Sequence, residues 1–163
     1  MINRRTLTTM ALLGLAVVFA TALPQTGFAQ SDPLIGTWKL NLAKTSYSPG
    51  PPPRSGTVTF QAEGQGLRLT VEGINAQGNP TKLVVMLFDD GKSYPVTGNP
   101  AFDATSNKRV NDSTWWGIGT KAGKVVGTLI LAVSADGKTL TITNTGVNAN
   151  GQQFYNVAVN DKQ

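Results

Sequence analysis

Gly36-Thr37-Trp38-Lys39-Leu40-Asn41-Leu42 is the stretch whose reading decides the fold. In an extended chain Trp38, Leu40 and Leu42 project to one side while Thr37, Lys39 and Asn41 project to the other, because successive Cβ atoms alternate across a strand. The segment therefore reads as a half-buried strand. Its indole is large and stands just after a flexible glycine, so it needs a closed interior to sit in. The remaining chain has to supply the sheet that encloses it.

Toward the C-terminus, Ala43 to Gly56 contains Pro49-Gly50-Pro51-Pro52-Pro53, which excludes both a helix and a central strand and reads as a connector. From Thr57 onward, short strands alternate with tight turns. Val58, Phe60 and Ala62 alternate with polar residues, as do Leu67, Leu69 and Val71. Lys82 to Phe88 is apolar on both faces, which predicts a strand buried twice or covered from outside. Asp89-Asp90-Gly91-Lys92 and Ala135-Asp136-Gly137-Lys138 have the composition of hairpin turns. Further strands are expected at Ser93 to Val96, broken by Pro95, and at Ser106 to Val110. Thr114 to Thr120 follows, with Trp115 and Trp116 adjacent, so one indole faces in and the other out. Val125 to Val133 is the longest apolar strand; Leu140 and Ile142 alternate with threonines; Gln152 to Val159 closes the series with Tyr155, Val157 and Val159 on one face.

About ten strands at hairpin spacing, with no apolar pattern of helical period, predict an all-β antiparallel meander. A meander this long exposes its edges unless it closes, which favours a single up-and-down β-barrel of about 8–10 strands over a sandwich. A membrane barrel would call for longer strands and aromatic girdles, which this chain lacks.

Toward the N-terminus, Arg4 and Arg5 precede the apolar run Met10 to Ala20 and then Gly27-Phe28-Ala29, the three-part pattern of a secretory signal cleaved after Ala29. The apolar run is shorter than the ~20 residues a bilayer span needs. The expectation is an exported protein, periplasmic or extracellular, with residues 1–29 as signal peptide and 30–163 as one barrel domain without a membrane span. Arg4 and Arg5 fall in the signal, so the excess of 14 Lys and Arg over nine Asp and Glu falls from five to three without it. The remaining basic residues are scattered, and no stripe tracks a phosphate backbone, which argues against nucleic acid as a partner.

The chain has no histidine and no cysteine. That removes Ser-His and Cys-His nucleophile pairs, thiolate chemistry and the usual zinc, copper and iron ligand sets. Asp89, Asp90, Asp112 and Asp136 sit in turns, where local backbone bonding accounts for them. Glu63, Glu72 and Asp103 remain, and no spacing brings two of them together. The expectation is a protein that is not an enzyme, with no cofactor and no metal site.

What remains is non-covalent binding. Leu40, Val58, Phe60, Leu69, Val85, Leu129, Ile142 and Val157 would make apolar walls, and a ligand site adds a few polar groups to such walls. Asn144 continues the face of Leu140 and Ile142, so it is expected to point inward near one mouth, where a buried amide needs a partner. Tyr94, Arg109, Trp116 and Tyr155 complete the candidate ligand-binding set. A second reading gives the work to the exposed surface, as an interaction module or inhibitor, on the strength of one outward indole and the extra apolar residues Val126 and Ile130.

The ordered set Gly36-Thr37-Trp38-Lys39-Leu40-Asn41, Tyr47-Ser48-Pro49-Gly50-Pro51-Pro52, Asp90-Gly91-Lys92-Ser93-Tyr94-Pro95-Val96-Thr97-Gly98, Gly123-Lys124-Val125-Val126-Gly127-Thr128 and Ser134-Ala135-Asp136-Gly137-Lys138-Thr139-Leu140-Thr141 resembles the calycin superfamily. Within it the chain is most similar to small secreted bacterial lipocalin-like proteins of unassigned function. The resemblance implies that Gly36 and Trp38 form a structural barrel floor, with the indole as its plug. The leading expectation is a monomer or weak homodimer that binds a small apolar or amphipathic ligand in the barrel. Where fatty-acid-binding proteins carry a helical lid this chain has its proline run. Their carboxylate-gripping Arg-x-Tyr appears as Gln153-x-Tyr155, without the cation. The biotin contacts of avidins are replaced by Leu42-Ala43-Lys44.

Overall fold

The computed structural model describes residues 32–99, 101–148 and 150–163. The signal expected at 1–29 lies outside the described residues. Eleven strands follow in order: β1 (Gly36–Leu40), β2 (Ser46–Ser48), β3 (Ser55–Glu63), β4 (Gly66–Ile74), β5 (Pro80–Leu87), β6 (Ser93–Thr97), β7 (Ala104–Asn111), β8 (Thr114–Lys121), β9 (Lys124–Val133), β10 (Thr139–Val147) and β11 (Gln153–Lys162). Between β1 and β2 lies a single 3₁₀ turn, Leu42–Lys44. From β3 to β11 each strand pairs antiparallel with the next, and β1 pairs with both β3 and β11. Ten strands thus close an up-and-down barrel, which removes the exposed edges a meander would have.

β2 stands outside this ring. β11 is long enough to hold β1 along its C-terminal part, with Leu40 opposite Asn160, and β2 along its N-terminal part, with Ser46 opposite Val157. The chain leaves β11 at the 3₁₀ turn and rejoins it. The proline run that follows carries it to β3.

The hairpins form as their turn residues dictate. Asp90 Oδ1 accepts the Lys92 N–H at 2.9 Å and Asp136 Oδ1 accepts that of Lys138 at 3.0 Å. Gly91 and Gly137 follow these aspartates with φ of +70° and +69°, a region other residues enter at a cost. β6 is the weakest seam: two residue pairs join it to β5 and three to β7, and Pro95 within it has no N–H to donate.

The strand expected at Lys82 to Phe88 is not buried on both faces. Val85 and Leu87 are buried, whereas Val84 and Met86 are only half-buried on the outer face, where no further layer of the described residues covers them. Their neighbours in the sheet, Thr70, Thr97 and Arg68, supply the partial cover.

One end of the barrel is plugged. Leu34, Trp38, Phe60, Leu67, Leu87, Trp115, Leu131, Val133 and Leu140 pack there in one buried cluster. The indole of Trp38 is wholly buried and donates to the Leu34 carbonyl at 2.8 Å, which pulls the segment before β1 across the barrel end. The Lys162 ammonium stands 4.8 Å from the Trp38 ring centre, and the Arg109 guanidinium 4.7 Å from that of Trp115. Such contacts contribute about 0.5–2 kcal/mol each, more as water is excluded. Arg109 also pairs with the buried carboxylate of Asp32. Asp32 in turn accepts the Leu34 N–H at 3.0 Å, so one ion pair ties the plug to β7.

Candidate functional site

Above this floor the barrel encloses a cavity of about 730 Å³. Its position follows from strand parity. Along β10 and β11 the inward residues form successive cross-strand pairs from floor to mouth: Leu140 with Asn160, Ile142 with Ala158, Asn144 with Asn156, and Gly146 with Phe154. Across the barrel, β3, β4 and β5 present Val58, Val71 and Leu83 in one row and Gly56, Gly73 and Thr81 in the row above. Leu69, Val85, Leu129 and Leu131 complete the lower apolar wall.

The cavity reaches the loops at the end opposite Trp38, where Tyr47, Pro49, Asn99, Phe102, Lys121 and Asn148 line it. Two aromatic rings narrow this end, and glycines make room for them. Gly119, Gly127 and Gly146 lie side by side on β8, β9 and β10. A Cβ on Gly119 would stand 3.2 Å from the Phe102 ring, and one on Gly146 would stand 3.0 Å from that of Phe154. The rings rest on bare backbone. A shallower outer groove of about 510 Å³, beside Arg54 and Thr57, shares the wall residues Leu40, Gly56 and Gly73 with the interior.

The polar groups inside are amides and hydroxyls. Asn160 is 1% exposed and donates to the carbonyls of Leu140 and Ala158, both at 3.3 Å. Asn156 Oδ1 accepts the Ser48 N–H at 3.3 Å, so β2 sets the orientation of a side chain inside the barrel. Asn144 makes no side-chain hydrogen bond among the described residues. Buried Thr105 accepts from Asn107 at 2.9 Å. At the rim, burial pushes the Tyr47 hydroxyl above its ordinary pKa, so it stays a neutral hydrogen-bonding group.

Of the expected apolar walls, Leu40, Val58, Leu69, Val85, Leu129 and Ile142 line this cavity, whereas of Tyr94, Arg109, Trp116, Asn144 and Tyr155 only Asn144 does. Tyr155 is 56% exposed, on the outer face of β11 beside Val157, opposite to the expected orientation. Trp116 is the outward indole at 44% exposure, and Trp115 is the inward one. Tyr94 packs on Phe88 and donates to Asp90 at 2.7 Å, outside the barrel interior. That hydrogen bond raises the Tyr94 pKa; the Asp90 pKa is lowered by the Lys92 N–H first and by Tyr94 second. Arg109 belongs to the floor rather than to the mouth. Gly36 and Trp38 lie at the floor, with Gly36 opposite Phe60.

Asn156, Asn160, Phe102, Phe154 and Tyr47 are the cavity residues that the strand-by-strand reading missed. The signal for three of them is present: a turn that sets Val147 opposite Gln153 forces Phe154, Asn156 and Asn160 onto the face of Leu140 and Ile142.

These features define a closed antiparallel β-barrel with one plugged end and an interior cavity that reaches the other. No protein-family model matches the chain, and neither does any curated protein. Among the described residues no helix is long and apolar enough to cross a membrane.

Proposed function

We propose that the chain is an exported, non-enzymatic, lipocalin-like protein that holds a small apolar or amphipathic ligand in its barrel. The observation that carries this reading is the cavity itself. A volume of about 730 Å³ falls within the ~300–1,000 Å³ of small-molecule sites. Its walls are apolar over β3–β5, and a few amides converge from β10 and β11. The interior is the opposite of a membrane barrel, whose polar residues face inward; here Arg68, Glu63, Glu72 and Lys82 form their ion pairs on the outside. Export rests on the leader-like sequence of residues 1–29. A non-catalytic role rests on the absence of histidine and cysteine from the sequence. It rests also on the acids, which among the described residues nowhere gather in threes.

Titration with Nile red, a neutral fluorophore that brightens in apolar surroundings, tests the proposal. Wild-type protein is expected to bind it at one site, and Val71→Trp, which fills the cavity, to lose that site while remaining folded. Undiminished binding by the filled variant would place the dye on the surface and sink the reading.

A specific observation also favours a surface role. Trp116 stands between Lys108 and Ile130, and from Ile130 the row continues through Thr143 to Val157 without a further charge. Under this second reading that face meets another protein, and Ile130→Lys would abolish the contact while leaving Nile red binding intact.

A further inference from the structure

We infer that the ligand is uncharged: an apolar body with a neutral hydrogen-bonding head of the carboxamide or hydroxyl kind, gripped by the Asn144–Asn156 pair. This rests on the cavity reading above and narrows it. The first ground is the charge map of the interior. Among the described residues, Glu72 and Lys121 are the only charged ones on its lining. The Glu72 carboxylate lies on the outer surface, 2.8 Å from the Lys82 ammonium. Lys121 is exposed at the rim, where water and salt screen it. Arg109 is committed to Asp32 below the floor. An ionised head brought inside would lose its hydration and meet no opposite charge.

The second ground is the placement of the amides. Asn144 and Asn156 are direct cross-strand partners on the inward face, so their Cβ atoms lie about 5 Å apart. The Oδ1 of Asn156 is occupied by the Ser48 N–H, which leaves its amide N–H groups to donate. Asn144 has both its acceptor and its donors free of protein partners among the described residues. Together the pair presents a donor beside an acceptor, the complement of a carboxamide, and a hydroxyl can meet the same two groups. Below the pair, Ile142 and Ala158 form an apolar band, and Val71 and Leu83 face them from the other wall. The head therefore belongs at the level of the amide pair and the apolar body below and across from it. Neither amide titrates, so the preference is independent of pH.

Three probes of equal chain length separate the cases: decanamide, decanoate and decylammonium, each titrated calorimetrically at pH 7.4 beside Nile red. Decanamide is expected to bind at least tenfold more tightly than either ion. Asn144→Leu combined with Asn156→Leu is expected to lower decanamide affinity about tenfold relative to that of Nile red, while Lys121→Gln leaves the order of the three probes as it is. Asn144→Asp, a near-isosteric variant, is expected to turn the preference toward decylammonium. Decanoate binding as tightly as decanamide, and weakened by Lys121→Gln, would overturn the inference in favour of an anion held at the rim. Retention of the amide preference by the double Leu variant would overturn it as well. If Nile red binds and the three probes do not differ, the cavity reading stands and this inference falls. If nothing binds, Nile red included, both fall.

Discussion

Trp38 shows how one side chain can decide the form of a barrel. Its ring fills the floor, its N–H fixes Leu34, and Lys162 from the last strand covers its face. Replacing it by Ala removes a wholly buried indole, and the expected loss is about 3–5 kcal/mol in a denaturant titration. Nile red affinity of the fraction still folded should change little, because the cavity lies above the floor. Loss of binding with stability retained would instead make Trp38 part of the site. Asp32 and Arg109 play the same structural part on the β7 side. A cation that looks like a ligand anchor in the sequence is in fact the fastening of the plug.

At the level of strands, the decisive fact is which face turns inward. On β10 the apolar Leu140 and Ile142 settle it, so the inward position of Asn144 is legible from sequence. On β11 both faces hold apolar residues, and the more hydrophobic one, with Tyr155, Val157 and Val159, is the one that turns out. Composition alone misleads there; the register set by the turn between Val147 and Gln153 overrides it. The approximate number of strands and their antiparallel order were legible because period-2 alternation and turn chemistry are local signals. The mouth was not, because its rings are placed by glycines that meet only in three dimensions. Gly146 is the clearest case. A Cβ there would lie 2.2 Å from the Val126 carbonyl oxygen and would press on the Phe154 ring. Gly146→Ala is accordingly expected to lower stability by about 1–3 kcal/mol, the usual range for overpacking, and to weaken Nile red binding as the ring is displaced. An unchanged melting temperature and affinity would mean that the glycine row does not position the ring.

Taken as a whole, the molecule keeps the charges of its described residues out of its cavity, pairs the buried one at Asp32 with Arg109, and has no histidine to titrate near neutrality. Glu63 is held below its ordinary pKa by Arg68, Asp136 by Ser134 and the Lys138 N–H, and Asp90 by the Lys92 N–H and Tyr94. For these carboxylates the unfolded chain binds protons more readily than the folded one, so their contribution is complete above ordinary carboxylate values and fades as pH falls through the folded ones. Tyr47 and Tyr94 act in the opposite sense: their raised values favour the folded state below about pH 10, and that support is lost as pH climbs through them. Thermal unfolding should therefore show a plateau from about pH 5 to 9 with a decline on either side. A transition centred near pH 6.5 would contradict this account. The three indoles add an optical consequence. None lines the cavity: two are buried in the floor beneath cations, and Trp116 faces solvent. Intrinsic emission is thus a gauge of whether the plug is intact, with a blue component from the floor and a red one from Trp116, and it is blind to whether the barrel is full.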